Sequence, residues 1–107
     1  MILPKNFFSQ AFAHRGLHNA ATAENSMAAF NAGIDAGYGI ELDIQPSLDG
    51  IPMVFHDYSL ERLTNNSGPI AQKLASDLDD IKLSGSGGSI PTLSTVLKMV
   101  AGRVPLL

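Results

Sequence analysis

The sequence contains no cysteine, which excludes a disulfide framework and thiolate metal sites and fits a reducing compartment. Charged residues are scarce at 16%, against 45% hydrophobic, a balance that belongs to a globular chain and not to a disordered one. The net charge of -3 does not suit nucleic-acid binding. No apolar run approaches the ~20 residues needed to cross a bilayer. The opening Met1-Ile2-Leu3-Pro4-Lys5-Asn6 lacks a basic region followed by an apolar core, so no signal peptide is expected and the cytoplasm is the expected location. At 107 residues the chain is long enough for one small domain with its own core.

What is present reads as alternating strands and helices. No internal repeat or boundary divides the chain, so residues 1–107 are expected to form one domain. Residues 1–9 read as an irregular lead-in with Phe7-Phe8 placed to plug the bottom of a core, followed by a strand over 10–14 and a loop over 15–25. Polar Glu24-Asn25-Ser26 can cap a helix over 26–36, where Met27, Phe30 and Ile34, extended by Tyr38, recur at helical spacing. Residues 57–72 read as an extended surface loop, and 76–82 as a short helix capped by Ser76 or Asp77 with Leu78 and Ile81 turned inward. The Ser/Gly tract 84–89 reads as a mobile connector. Thr92 or Ser94 then opens a helix to about Ala101, with Leu93, Val96, Leu97 and Val100 on one face and Gly102 beyond. The apolar run at Val104-Pro105-Leu106-Leu107 reads as part of a buried strand, so the chain is expected to belong to a longer protein and to associate or unfold readily by itself.

Between 40 and 56 the pattern is more specific. Ile40–Gln45 and Ile51–Phe55 are strand-like, and Asp49-Gly50 between them is a hairpin signal too short for a parallel crossover. A two-residue loop there sets Leu48 against Ile51 and, counting outward, Asp43 against His56, with Glu41 on the same face two positions away.

Three polar clusters follow apolar runs: His14-Arg15-Gly16, Glu41-Leu42-Asp43 and His56-Asp57. Two imidazoles can exchange protons, two carboxylates can hold a hard cation, and a guanidinium can grip an anion. Together these parts suit metal-assisted phosphate ester hydrolysis. Gly16 would let its loop approach a ligand, and Asp57 can either orient His56 or cap the following turn. Each cluster has an ordinary reading as well. Glu41 and Asp43 also fit an amphipathic strand that buries Ile40, Leu42 and Ile44 and leaves the carboxylates in water. His14 and His56 also fit as structural strand-end histidines. His18 sits in a polar loop without a role, and Asp77, Asp79 and Asp80 read as a solvated helix face.

The order of motifs adds to this. Ala13-His14-Arg15-Gly16, Glu24-Asn25-Ser26, Ile40-Glu41-Leu42-Asp43, Asp49-Gly50, Val54-Phe55-His56-Asp57, Leu60-Glu61-Arg62-Leu63-Thr64 and Ile90-Pro91-Thr92-Leu93 succeed one another at familiar spacing. In this succession the chain resembles, over about residues 10–100, the N-terminal part of glycerophosphodiester phosphodiesterases, members of the phospholipase-C-like phosphodiesterase barrels. The resemblance implies an α/β fold: the N-terminal part of a (β/α)8 TIM barrel, with an antiparallel hairpin near residues 40–56 and no closed barrel in this chain. It implies hydrolysis of small-molecule glycerophosphodiesters to an alcohol and glycerol 3-phosphate with Mg²⁺ or Ca²⁺. By the same resemblance His14 and His56 are the acid/base pair, Glu41 and Asp43 are metal ligands, and Arg15 contacts the phosphate. Ala23 stands where such enzymes usually have proline, and Ser47 where they usually have threonine. Their third carboxylate ligand comes from beyond the position of Leu107, so little or no activity is expected from these 107 residues by themselves. The alternatives are a lysophospholipase-D-like or sphingomyelinase-D-like enzyme, and a non-catalytic interaction module that retains the motifs.

Overall fold

Strand β1 (Phe12–His14) lies parallel to β2 (Gly39–Glu41), in register Phe12 to Gly39, Ala13 to Ile40 and His14 to Glu41, in a computed structural model that describes residues 11–86 and 88–107. The proposed place of Phe7-Phe8 lies outside the described residues. Helix α1 (Met27–Asp35) makes the crossover between β1 and β2, one residue shorter at each end than its periodicity predicts. Ser26 caps it, its hydroxyl accepting from the Ala29 amide at 3.1 Å and donating to the Ala23 carbonyl at 2.6 Å. Phe30 is fully buried on the core face of the helix, whereas Tyr38 is exposed. On the other edge of β2, Ile40 donates to the Pro105 carbonyl at 3.0 Å and accepts from the Leu107 amide at 2.9 Å, so the final residues run parallel to β2.

The hairpin forms with a different register. Strands β3 (Ile44–Pro46) and β4 (Pro52–Val54) pair antiparallel, Ile44 with Val54, Gln45 with Met53 and Pro46 with Pro52. The loop is one residue longer than Asp49-Gly50 predicts. The Ser47 amide donates to the Ile51 carbonyl at 3.0 Å, and Gly50, at φ 78°, closes the turn with a 3.0 Å bond to the Ser47 carbonyl. The buried Ser47 hydroxyl accepts from the Ile51 amide at 2.9 Å, which fixes this longer turn. The slip sets Phe55 rather than His56 against Asp43, with the Phe55 amide donating to the Asp43 carbonyl at 3.0 Å.

Strand β4 separates two cores by ordinary strand alternation. Val54 packs with Phe30, Ile40, Val96, Val100 and Val104, while Met53 and Phe55 pack with Leu60, Ile70, Leu78 and Ile90. Residues 57–72 are therefore not a bare surface loop. They carry Leu60 and Ile70 into the second core and form a 3-10 turn at Ile70–Gln72. Helix α2 (Ala75–Asp79) is shorter than predicted and is not capped by Ser76 or Asp77; Asp49, in the hairpin turn, accepts from the Ala75 amide at 3.0 Å. Within the Ser/Gly tract the described residues pair with the rest of the fold. Ser86 donates to the Ala21 carbonyl at 2.7 Å and accepts from Ala23 at 2.8 Å, and Leu83 donates to Gly88 at 2.9 Å. Helix α3 (Leu93–Val100) opens at Thr92, whose hydroxyl accepts from Thr95, and turns its Val96 and Val100 inward. Among the described residues no helix is long and apolar enough to cross a membrane.

One glycine is required by both space and backbone. Gly16 has φ 79°, and a Cβ there would lie 2.8 Å from the Ala29 Cβ and 3.0 Å from the Phe30 ring. Its closeness to α1 and its left-handed backbone together call for glycine here. Gly16→Ala is expected to cost about 1–3 kcal/mol in urea unfolding, because the left-handed backbone and the contact with α1 both oppose a methyl group. An unchanged midpoint and slope would contradict this packing.

Candidate active site

The register of β1 and β2 sets His14 and Glu41 side by side at the C-terminal strand ends, His14 Nε2 lying 3.6 Å from Glu41 Oε2. The chain then turns sharply. Arg15 has φ 56°, a left-handed conformation uncommon outside glycine, and its amide points back to Glu41 Oε2 at 3.3 Å. Its guanidinium reaches inward, with Nη1 donating to Glu24 Oε2 at 3.0 Å and Nε lying 3.5 Å from Asp43 Oδ2. That Nε is buried and has no hydrogen-bond partner. Asn25, also left-handed at φ 52° and fully buried, joins these groups. Its amide donates to the Arg15 carbonyl at 2.8 Å, and its side-chain Nδ2 donates to Asp43 Oδ2 at 3.1 Å. Two strained backbones beside buried polar side chains are a common mark of a functional site.

His56 reaches this cluster by another route. Gln45 donates to its carbonyl at 2.9 Å, and its Nδ1 lies 2.7 Å from Asp57 Oδ1. Arg62 donates to Asp57 through Nε at 2.8 Å and Nη2 at 3.1 Å, and to both oxygens of Glu24 at 2.9 Å. A continuous line of hydrogen bonds thus runs from His56 through Asp57, Arg62 and Glu24 to Arg15. No hydrogen bond or ion pair joins His14 to His56 among the described residues.

The electrostatics follow from those contacts. The Arg62 hydrogen bonds, helped by His56 and opposed by burial, pull the Asp57 carboxyl down to about 2. Glu24 is lowered too, chiefly by its bonds to Arg62, with Arg15 adding to them against the cost of burial. Arg62 is held all the more firmly in its charged form by Glu24 and then Asp57. Because both carboxyls are depressed in the folded state, their contribution to stability is present above their unfolded values and is lost on acidification. For Asp57 the window runs from 3.8 down to about 2. Acid titration followed by NMR should show the Arg62 side-chain signals changing in that window, and changes confined to higher pH would contradict the pairing.

With this geometry in place, comparison with known proteins becomes decisive. The family model for the glycerophosphoryl diester phosphodiesterase family matches residues 14–106. The chain belongs to this family. A glycerophosphodiester phosphodiesterase of Bacillus altitudinis is 36% identical over 102 residues, covering 89% of this chain and 41% of that protein. One from Caldanaerobacter subterraneus subsp. tengcongensis is 32% identical over 98 residues, covering 85% and 40%. The solved glycerophosphodiester phosphodiesterase of Agrobacterium tumefaciens str. C58 aligns with a TM-score of 0.82 at 33% identity, over 91% of this chain and 45% of that one. An Oleispira antarctica phosphodiesterase, solved in complex with the product sn-glycerol-3-phosphate, aligns with a TM-score of 0.78 at 28% identity, over 91% and 42%. The chain thus spans about two fifths of the curated relatives just described. Its α/β arrangement is the N-terminal part of the glycerophosphodiester phosphodiesterase barrel, and among the described residues no barrel closes.

Within this family member the five residues singled out from sequence fall into two groups. His14, Arg15, Glu41 and Asp43 share one cluster, and His56 is linked to it through Asp57, which takes the orienting position against His56 that its sequence allows, and then through Arg62 and Glu24. Glu41 and Asp43 do not form the water-facing side of an amphipathic strand. Both are half-buried around Arg15, whereas Ile44, expected in the core of that alternative, is 46% exposed. Their carboxylate oxygens are the donor type a hard divalent cation takes. Among the described residues no third His, Cys, Asp or Glu completes a set with them. Glu24, Asn25 and Arg62 were missed as functional residues. The available signal was an acid and an amide amid alanines before a helix, but their partners lie up to 38 residues away.

Proposed function

We propose that the natural full-length polypeptide hydrolyses glycerophosphodiesters to an alcohol and glycerol 3-phosphate, with Mg²⁺ or Ca²⁺ as cofactor. The observation that carries this reading is the Arg15 guanidinium: partly exposed, pinned by Glu24, with a buried Nε that has no hydrogen-bond acceptor, beside two carboxylates and an imidazole. A buried donor left unpaired costs about 1–3 kcal/mol and is relieved by an anion that can accept from it. Arg15 would bind the phosphate diester, and its held geometry would orient the phosphorus toward the imidazoles. One imidazole of the His14/His56 pair would take the proton from the attacking oxygen. The other would deliver a proton to the alkoxide as the phosphorus–oxygen bond breaks. Glu41 and Asp43 would hold the cation, which when bound supplies positive charge against the phosphate. With these two carboxylates and no third to complete a set among the described residues, the 107 residues alone should turn over little or no diester.

The test is glycerol 3-phosphate release from glycerophosphocholine by the full-length polypeptide, with a chelator and with Mg²⁺ or Ca²⁺ restored. Chelation should abolish release and either cation should recover it. Release of choline phosphate instead, or turnover indifferent to chelation, would contradict the reading.

A further inference from the structure

We propose that Arg62 is a positioning residue that clamps Glu24 to Asp57 and thereby orients His56 and Arg15 toward one substrate. It makes four N–H···O bonds of 2.8–3.1 Å, and every acceptor is a carboxylate oxygen. Four of its five N–H donors are committed to carboxylates, so it serves the site through others rather than by gripping phosphate. On the far side of each carboxylate stands a residue of the proposed machinery. Asp57 Oδ1 meets His56 Nδ1 at 2.7 Å, and Glu24 Oε2 meets Arg15 Nη1 at 3.0 Å. An ionised carboxylate only accepts, so the Asp57 contact places the imidazole proton on Nδ1 and leaves Nε2 open for proton transfer.

The clamp is needed because the two ends come from different parts of the fold. Arg15 follows β1 and His56 follows β4, and these strands belong to separate sheets. Arg62 reaches Glu24 from 38 positions along the chain. A planar guanidinium can bridge two carboxylates with fixed angles, which a lysine ammonium cannot do. Without it, Glu24 would keep only Arg15 and Asp57 only His56 as partners, and nothing would tie the two carboxylates together or hold Asp57 in its orientation against His56.

The test uses Arg62→Gln and Arg62→Lys in the full-length polypeptide, reading kcat and KM on glycerophosphocholine together with the imidazole nitrogen NMR signals of His56. Its rate arm rests on the phosphodiesterase reading; its NMR arm does not. In Arg62→Gln, kcat should fall about 10- to 100-fold, as misplacement of catalytic groups by about an ångström does. Millimolar guanidinium should restore part of that rate where sodium chloride does not, since Arg62 is 47% exposed and the space it leaves is open to solvent. The His56 nitrogen signals should move from a single tautomer toward a mixture. Arg62→Lys should remain impaired, and it carries both readouts if the glutamine variant does not fold. An unchanged kcat with unchanged His56 signals overturns the proposal, as does full recovery by lysine. Should the wild-type polypeptide hydrolyse nothing while the His56 signals still shift in the variants, the orienting role would stand and the phosphodiesterase reading would fall.

Discussion

Alanine at His56 or at His14 should lower kcat for glycerophosphocholine about 10²–10⁴-fold in the full-length polypeptide, the range that a positioned acid or base supplies. Both imidazoles are well exposed, 42% for His56 and 68% for His14, so removing them opens no cavity in the core. The thermal midpoint should therefore stay close to that of the parent protein, and the loss can be read as chemistry. The two variants should differ in one respect. His14 approaches Glu41 at 3.6 Å, so His14→Ala should also alter the dependence of rate on divalent cation concentration, whereas His56→Ala should not. Rates unaffected by either substitution would favour the reading of the family motifs as an interaction module kept by descent.

Local chemistry was legible in the sequence. Glu24-Asn25-Ser26 and Thr92 or Ser94 mark the starts of two helices, of which Ser26 and Thr92 supply the caps, whereas Ser76 and Asp77, read by the same rule, do not cap α2. Asp49-Gly50 announces a hairpin. What the dipeptide cannot reveal is that the Ser47 hydroxyl and left-handed Gly50 together stabilise a turn one residue longer. That difference moves Asp43 from His56 to Phe55 and replaces an expected direct pairing with an indirect one. The remaining misses are tertiary. The loop over 57–72 looks polar in sequence, yet it delivers Leu60 and Ile70 to a core whose other buried members are Ala23, Met53, Phe55, Leu78, Leu83 and Ile90. The Ser/Gly tract has the composition of a flexible linker. Yet Ser86 within it pairs with Ala21 and Ala23, and only the fold makes that pairing available. Glu24, Asn25 and Arg62 belong to the same class, because a polar residue's role is set by partners that no spacing rule locates.

Phe30→Ala should be the most destabilising single change, at about 3–5 kcal/mol in urea unfolding of the full-length polypeptide. The side chain is fully buried and lies against Ile40, Val54, Val96, Val100 and Val104, so alanine leaves a cavity among β-branched side chains that have little freedom to close it. The loss is a large part of the about 5–15 kcal/mol by which folded domains are stable. Its effect should reach the site as well. The Phe30 ring lies 3.0 Å from where a Gly16 Cβ would be, directly beneath the turn that bends Arg15 back to Glu41. Leu17 donates to the Ala29 carbonyl at 2.9 Å from the same turn. Removing the ring takes away the floor on which the left-handed Arg15-Gly16 pair rests, so KM for the diester should rise through looser phosphate binding. Phe30→Leu, which refills most of the volume, should recover most of both effects. A cost below about 1 kcal/mol for Phe30→Ala would mean that the core beneath the turn can collapse onto the cavity, and the link between α1 packing and the geometry of Arg15 would have to be abandoned.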